Sequence, residues 1–303
     1  MKSLIVAVCL LASFSAQSQM LNDSPFDSSV AHPKYAQGKG PKILFDKGHN
    51  NFIVEMGLAK PLMDVATADG YRVQVDSMKF TKAYLAPYKM LVIFPALPFT
   101  FGSKEQVTDE ITFTPDELTA LHDWVSQGGS LLMFDEHAPI DKAVTPLFNK
   151  FGIKLSIGIV VDSVHYDATS VMPGKQSFLK FTRSNGLLNT KHPITQGENS
   201  EEQVNNILTY SGGGLAGEGY TNILQLSPSS SIKKHNGSPA SGTANSQGLA
   251  GTIGKGKVVA LADCNGFTAM YMMMKTTKIT AGMQVPEYDW KKFAINTLHW
   301  LSK

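Results

Sequence analysis

Short apolar runs that end abruptly in charge recur along the chain. Ile43-Leu44-Phe45 runs into Asp46-Lys47-Gly48-His49-Asn50-Asn51, and Ser130-Leu131-Leu132-Met133-Phe134 into Asp135-Glu136-His137. Met90-Leu91-Val92-Ile93-Phe94 is equally apolar, and the stretch from Gly256 to Ala262 ends at Asp263. Runs this short and unbroken predict parallel strands covered on both faces, and residues 71–75 alternate as another strand. Helical signals lie between them. Pro61 opens a helix over 61–69 that Gly70 stops. Thr114-Pro115-Asp116-Glu117 spells a capping threonine, a first-turn proline and a glutamate three residues after the cap, ahead of Leu118, Leu121 and Val125. Gly128-Gly129 closes that helix. Residues 141–151 predict a helix broken or kinked at Pro146, and residues 289–301 a closing helix with Trp290, Phe293, Thr297, Leu298 and Leu301 on one side.

Strands alternating with helices predict an α/β fold, a three-layer flavodoxin-like sandwich with a mostly parallel sheet. Over 157–250 the rhythm is lost, and 211–250 holds eight Gly and eight Ser, so that region reads as an insertion of loops and short strands. The domain organisation is then a leader over 1–18, an irregular lead-in over 19–40 and one α/β domain over 41–303. No 20- to 50-residue period repeats, which excludes a solenoid or propeller.

The leader carries Lys2, the apolar run from Leu4 to Ala12, and small residues at Ala16 and Ser18, the layout of a secretory signal cleaved before Gln19. Its nine or so apolar residues are far short of the roughly 20 needed to span a bilayer. Cys9 sits inside the run after Val8, unlike a lipoprotein cysteine, and removal of the leader leaves Cys264 alone. We therefore expect a periplasmic or secreted protein without a disulfide and without a membrane span after cleavage. With 27 basic and 25 acidic residues the net charge is +2, no footprint for nucleic acid.

In a parallel sheet the strand carboxyl ends share one edge, where ligands bind. Segments 46–51, 135–137 and 263–265 converge there if their strands are neighbours. Asp46, His49, Asn50, Asn51, Asp135, Glu136, His137 and Asp263 are the candidate ligand contacts. Such a set can hydrogen-bond a small polar molecule or glycan, supply a general acid and base, or hold a divalent metal through Asp46, His49, Asp135 and His137. The competing explanation is structural, since acids after strands often cap a helix or fix a turn. Asp162, His165 and Asp167 are further candidates from the insertion.

Other motifs carry less. Gly212, Gly214 and Gly217 match dinucleotide spacing, but strand-like Tyr220 to Leu224 follows where a helix is required, so the glycines read as a loop. Residues 251–257 nearly match a phosphate loop, yet Val258 replaces the magnesium-binding hydroxyl. Met270, Met272, Met273 and Met274 read as a thioether-packed helix. Cys264 has no histidine near it in sequence and no glycine-flanked elbow.

Six pieces resemble a family of exported bacterial proteins of unknown function with a class I glutamine amidotransferase-like domain. They are Ile43 to Phe52, Asp69-Gly70-Tyr71-Arg72-Val73, Asp135-Glu136-His137-Ala138-Pro139, His192-Pro193-Ile194-Thr195-Gln196-Gly197, Gly254 to Val259, and Asn296-Thr297-Leu298-His299-Trp300-Leu301. The Asp-x-x-His-Asn-Asn-Phe piece is the most specific. The resemblance implies a three-layer domain related to those of gliding-motility and intraflagellar-transport components, and no known reaction. Amidotransferases of this fold carry a cysteine at a strand-to-helix turn; Phe94-Pro95-Ala96 and Phe134-Asp135-Glu136-His137 lack it. The leading expectation is an exported domain that binds a small polar ligand or glycan, without a cofactor. The alternatives are a hydrolase, metal-dependent or not, using the Asp/Glu/His cluster, and an envelope protein-interaction module.

Overall fold

The computed structural model describes residues 20–22, 26–100, 112–136, 140–170, 174–234, 236–240, 242–274 and 277–303. The leader over 1–18 and His137 lie outside them. Nine strands form the main sheet: β1 (Lys42–Asp46), β2 (Arg72–Asp76), β3 (Met90–Ile93), β4 (Ser130–Phe134), β5 (Ile153–Ser156), β6 (Gly214–Gly217), β7 (Thr221–Gln225), β8 (Ser246–Ile253) and β9 (Gly256–Leu261). Their spatial order is β2-β1-β3-β4-β9-β8-β6-β5, with β7 also paired to β8. Strands β2, β1, β3, β4 and β9 are parallel, and the strands beyond β9 add to them antiparallel. Numbered among themselves, the five parallel strands follow 2-1-3-4-5, the flavodoxin-like order, whose direction of winding reverses between β1 and β3.

The alternation of side chains along each strand builds two cores. Ile43, Phe45, Val92, Phe94, Leu132, Phe134, Val259 and Leu261 join one apolar cluster, while Leu44, Leu91, Ile93, Leu131, Met133, Val258 and Ala260 join the other. Helices α1 (Lys60–Ala68) and α4 (Trp290–Ser302) cover the first face with Leu62, Val65, Trp290, Phe293 and Leu298. Helices α2 (Pro115–Ser126) and α3 (Ile140–Lys150) cover the second with Leu118, Leu121, Val125, Val144 and Phe148. This is the three-layer α/β sandwich expected from the runs. At α2 the threonine cap forms in full: the Thr114 hydroxyl accepts from Glu117 N at 3.3 Å, and Glu117 Oε2 accepts from Thr114 N at 3.1 Å.

Four local expectations change. Helix α3 continues through Pro146 as one element, so it is not broken there. The methionine-rich stretch is a strand, Ala269–Met274, hydrogen-bonded to Met20–Asn22 on one side and Thr277–Gly282 on the other. Its side chains alternate as a strand demands, with Met270 buried and Met273 exposed. Gly214–Gly217 is not loop but strand β6, paired along its length with β5. The absent side chain makes room there for neighbouring side chains, since a Cβ on Gly214 would stand 2.4 Å from that of Ala244. Finally, the lead-in is neither irregular throughout nor loose: Met20–Asn22 is a strand, Tyr35 N donates to Asp69 O at 3.2 Å, and Lys34 N to Asp69 Oδ1 at 2.6 Å. Gly70 makes this seat with φ of +88°, and any Cβ on it would lie 2.2 Å from Tyr35 O.

Candidate functional site

Because β1, β3, β4 and β9 are parallel, the segments after them do emerge on one edge. They form two groups. β3 stands between β1 and β4, which separates their ends by roughly 10 Å at the usual strand spacing.

The first group is engaged in holding the fold, apart from the buried Oδ1 of Asn51, which has no partner. His49 Nδ1 lies 3.0 Å from Asp46 Oδ2 and its Nε2 3.2 Å from Glu117 Oε1, so each ring nitrogen faces a carboxylate. The ring is buried between Phe80 and Phe113, with centroids 4.8 and 4.5 Å away. Burial alone would lower the His49 pKa, but bonds and charge from Asp46 and then Glu117 more than offset it and hold the pKa above its ordinary value. Burial likewise pushes Glu117 up, yet Thr114 and His49 bring it below the usual carboxylate range. The group is therefore an imidazolium between two carboxylates, a strut from the β1 loop to the first turn of α2. Asp46 also accepts from Gly48 N at 2.9 Å. Asn50 takes φ of +44°, and its amide donates to Leu97 O at 3.0 Å; Asn51 donates to Phe94 O at 3.0 Å. These contacts tie the β1 loop to the loop after β3. Sequence reasoning found Asp46 and His49 but read Glu117 only as a cap.

The second group is unlike it. Asp135 and Asp263 follow adjacent strands, and Asp135 N donates to Leu261 O at 2.8 Å. The Asp135 side chain is 0% exposed and neither of its carboxylate oxygens has a hydrogen-bond partner. Burial first, then the charges of Asp141 and Glu136, raise its pKa well above the ordinary value, only partly opposed by the Glu136 backbone. Asp263 Oδ1 accepts from Asn265 N and Nδ2, both at 2.8 Å, and its Oδ2 accepts from Tyr210 N. Even so, burial and the Glu136 charge push Asp263 up to about 7. Glu136 Oε2 accepts from the Cys264 thiol at 3.3 Å and Asn265 Nδ2 at 3.1 Å. Burial, Glu136 and Asp263 push the Cys264 thiol upward, the reverse of what an activated nucleophile needs.

Residues 209–213, left as loop by the sequence, lie over this second group. Gly213 N donates to Ala262 O at 3.1 Å, and a Cβ on Gly213 would stand 3.1 Å from Asp135 Oδ2. A Cβ on Gly212 would meet Ala262 O at 2.5 Å. Buried Gln247 holds the stretch down, donating to Gly212 O at 3.1 Å and Gly213 O at 2.8 Å while accepting from the Thr209 hydroxyl at 2.6 Å. Ser211 takes φ of +65°, and its hydroxyl lies 2.6 Å from that of Ser177. A glutamine inside the apolar alternation of β8 was the available signal. The other insertion candidates are occupied separately: Asp162 accepts from Ser229 Oγ at 2.7 Å, Val164 N at 2.7 Å and His165 N at 3.0 Å, and Asp167 from the Thr169 hydroxyl at 2.6 Å.

No protein-family model matches the chain, and no curated protein does. Solved structures do. The mmIFT52 N-terminal domain superposes with a TM-score of 0.56 at 16% identity, over 86% of this chain and 97% of that one. The likeness is one of fold. A ThuA-like protein from Parabacteroides merdae matches with a TM-score of 0.47 at 13% identity, over 88% and 91% of the two chains. A GMP synthase component from Thermoplasma acidophilum matches with a TM-score of 0.39 at 12% identity, over 86% and 96%. Among the described residues, no helix is long and apolar enough to cross a membrane.

Proposed function

We propose that the chain is an exported, amidotransferase-like domain without the amidotransferase cysteine, which binds a small polar ligand or glycan at the ends of β4 and β9. The contacts are Asp135, Glu136 and Asp263, with the backbone of 209–213 above them. One observation carries this reading: a completely buried carboxylate, Asp135, with both oxygens unpartnered. Leaving such a group unmade costs about 1–3 kcal/mol or more, a burden that a ligand can relieve and that packing alone does not explain. The place lies on the carboxyl edge of the parallel strands, beside the reversal of winding between β1 and β3 and not at it. Asp46, His49, Asn50 and Asn51 shape that edge from the neighbouring loops. Calorimetric titration of the purified protein with a small-molecule fraction of periplasmic extract tests the reading: heat in the parent that disappears in Asp135→Asn supports it, and equal heats in both overturn it. Export is tested apart, by N-terminal sequencing of the protein from an osmotic-shock fraction, with Gln19 expected as the first residue and Met1 in the cytosolic fraction as the contrary result.

A further inference from the structure

We propose that β2, the outermost strand of the parallel half, is a homodimer interface: two copies of the chain pair antiparallel along Arg72–Asp76, about a two-fold axis through Gln74, and join their sheets into one. β2 ends the spatial order of the main sheet, and among the described residues no strand pairs with its outer side. Arg72 N donates to Pro41 O at 3.1 Å and Lys47 N to Asp76 O at 2.8 Å. The ladder therefore turns the peptide groups of Arg72, Gln74 and Asp76 toward β1, and those of Val73 and Val75 outward. Such an edge invites another strand, and proteins blunt it with lysines, proline or a covering segment. This one stays open: Arg72 and Gln74 are exposed, Val75 is 42% exposed, and Met78 just beyond it is 57% exposed. The strand's own sequence selects its occupant. Arg-Val-Gln-Val-Asp read backwards is Asp-Val-Gln-Val-Arg, its chemical complement. An antiparallel second copy sets each Arg72 against Asp76 of the other copy, each Val73 against Val75, and Gln74 against Gln74. The valine pairs then exchange both of their N–H···O bonds, and the interface is isologous as a two-fold requires. A parallel mate would oppose Arg72 to Arg72 and Asp76 to Asp76. The charged ends can respond: Arg72 uses its Nε on Gly40 O at 2.9 Å, so its terminal nitrogens can reach across. Asp76 accepts from Ser77 N at 2.7 Å and Gln74 Nε2 at 3.4 Å, with lone pairs to spare.

Sedimentation velocity of the mature protein up to about 200 µM is expected to show a concentration-dependent dimer, a weak one because so short a pairing buries little area. Arg72→Asp and Asp76→Arg, each of which opposes like charges, are expected to be monomeric. An equal mixture of the two is expected to dimerise, because every charged position then meets its opposite. Val75→Pro removes an outward N–H and no bond to β1, and is also expected to be monomeric. Far-UV circular dichroism checks that each variant is folded. The register is read by Gln74→Cys: on the axis the two Cα atoms stand about 4.5 Å apart, within reach of a disulfide. Oxidation is expected to give a covalent dimer through residue 74, Cys264 being fully buried. Adding Arg72→Asp is expected to slow that cross-link about tenfold or more. A parent that stays monomeric throughout the range overturns the proposal, as does a dimer that persists in folded Val75→Pro. Monomeric single variants whose mixture also stays monomeric, or a Gln74→Cys protein that does not cross-link, overturn the register. Should a charge variant fail to fold, Val75→Pro and Gln74→Cys decide the matter by themselves.

Discussion

Replacing Asp135 by asparagine should make the free protein more stable, and by an amount that grows with pH. Below about pH 3.8 the carboxyl is neutral in both folded and unfolded chains, and the substitution changes little. As pH rises, the unfolded chain ionises while the buried group, its pKa raised by burial and by Asp141 and Glu136, keeps its proton. Each pH unit in that window favours unfolding of the parent by about 1.4 kcal/mol, and the asparagine variant is spared this. The gain therefore keeps growing up to the raised pKa of the folded carboxyl and is level above it. The residual cost of a buried, unpartnered amide subtracts from this by about 1–3 kcal/mol at every pH. What identifies the effect is thus its slope. Urea denaturation of parent and variant at pH 4, 5, 6 and 7 measures it directly. A stability difference that does not change with pH, or one that falls as pH rises, would refute the reasoning and show that Asp135 finds compensation inside the folded protein.

Four further outcomes are expected. His49→Ala leaves Asp46 and Glu117 buried without their cation, and should destabilise the protein by about 3–5 kcal/mol in chemical denaturation. In the parent, the same strut contributes fully below the ordinary histidine pKa of 6.5 and fades as pH rises through the raised folded value, which histidine NMR titration can follow alongside stability. Gly70→Ala forces a side chain into a left-handed backbone and against Tyr35 O, so a loss of more than about 1 kcal/mol is expected by thermal unfolding. Cys264, fully buried and with its thiol pKa raised, should label with a thiol reagent in the mature protein only after denaturation; rapid labelling of the native state would contradict the burial.

The parallel half of the fold was legible because its signals are local. Ile43 to Phe45 or Ser130 to Phe134 can only be strands buried on two faces, and Thr114 with Glu117 marks a helix start by chemistry alone. The antiparallel extension was not, because the glycines of Gly214–Gly217 make room for side chains from elsewhere in the chain, a requirement that composition reads as a loop. The methionine stretch misled for a related reason: four thioethers in five residues fit a helix or a strand equally, and the partners at Met20–Asn22 and Thr277–Gly282 decided it. For the candidate site, the acids at strand ends could be named, but which were spent could not. Asp46 and Asp135 look alike in sequence, and only the positions of His49 and Glu117 show that one carboxylate is saturated and the other bare.

Asp69 joins distant parts of the chain: it accepts from Lys34 N near one end and lies 2.7 Å from His299 Nε2 in the last helix. The His299 half of this buckle closes only once α4 has been made, whereas the Lys34 half needs no residue beyond Asp69 and closes with α1.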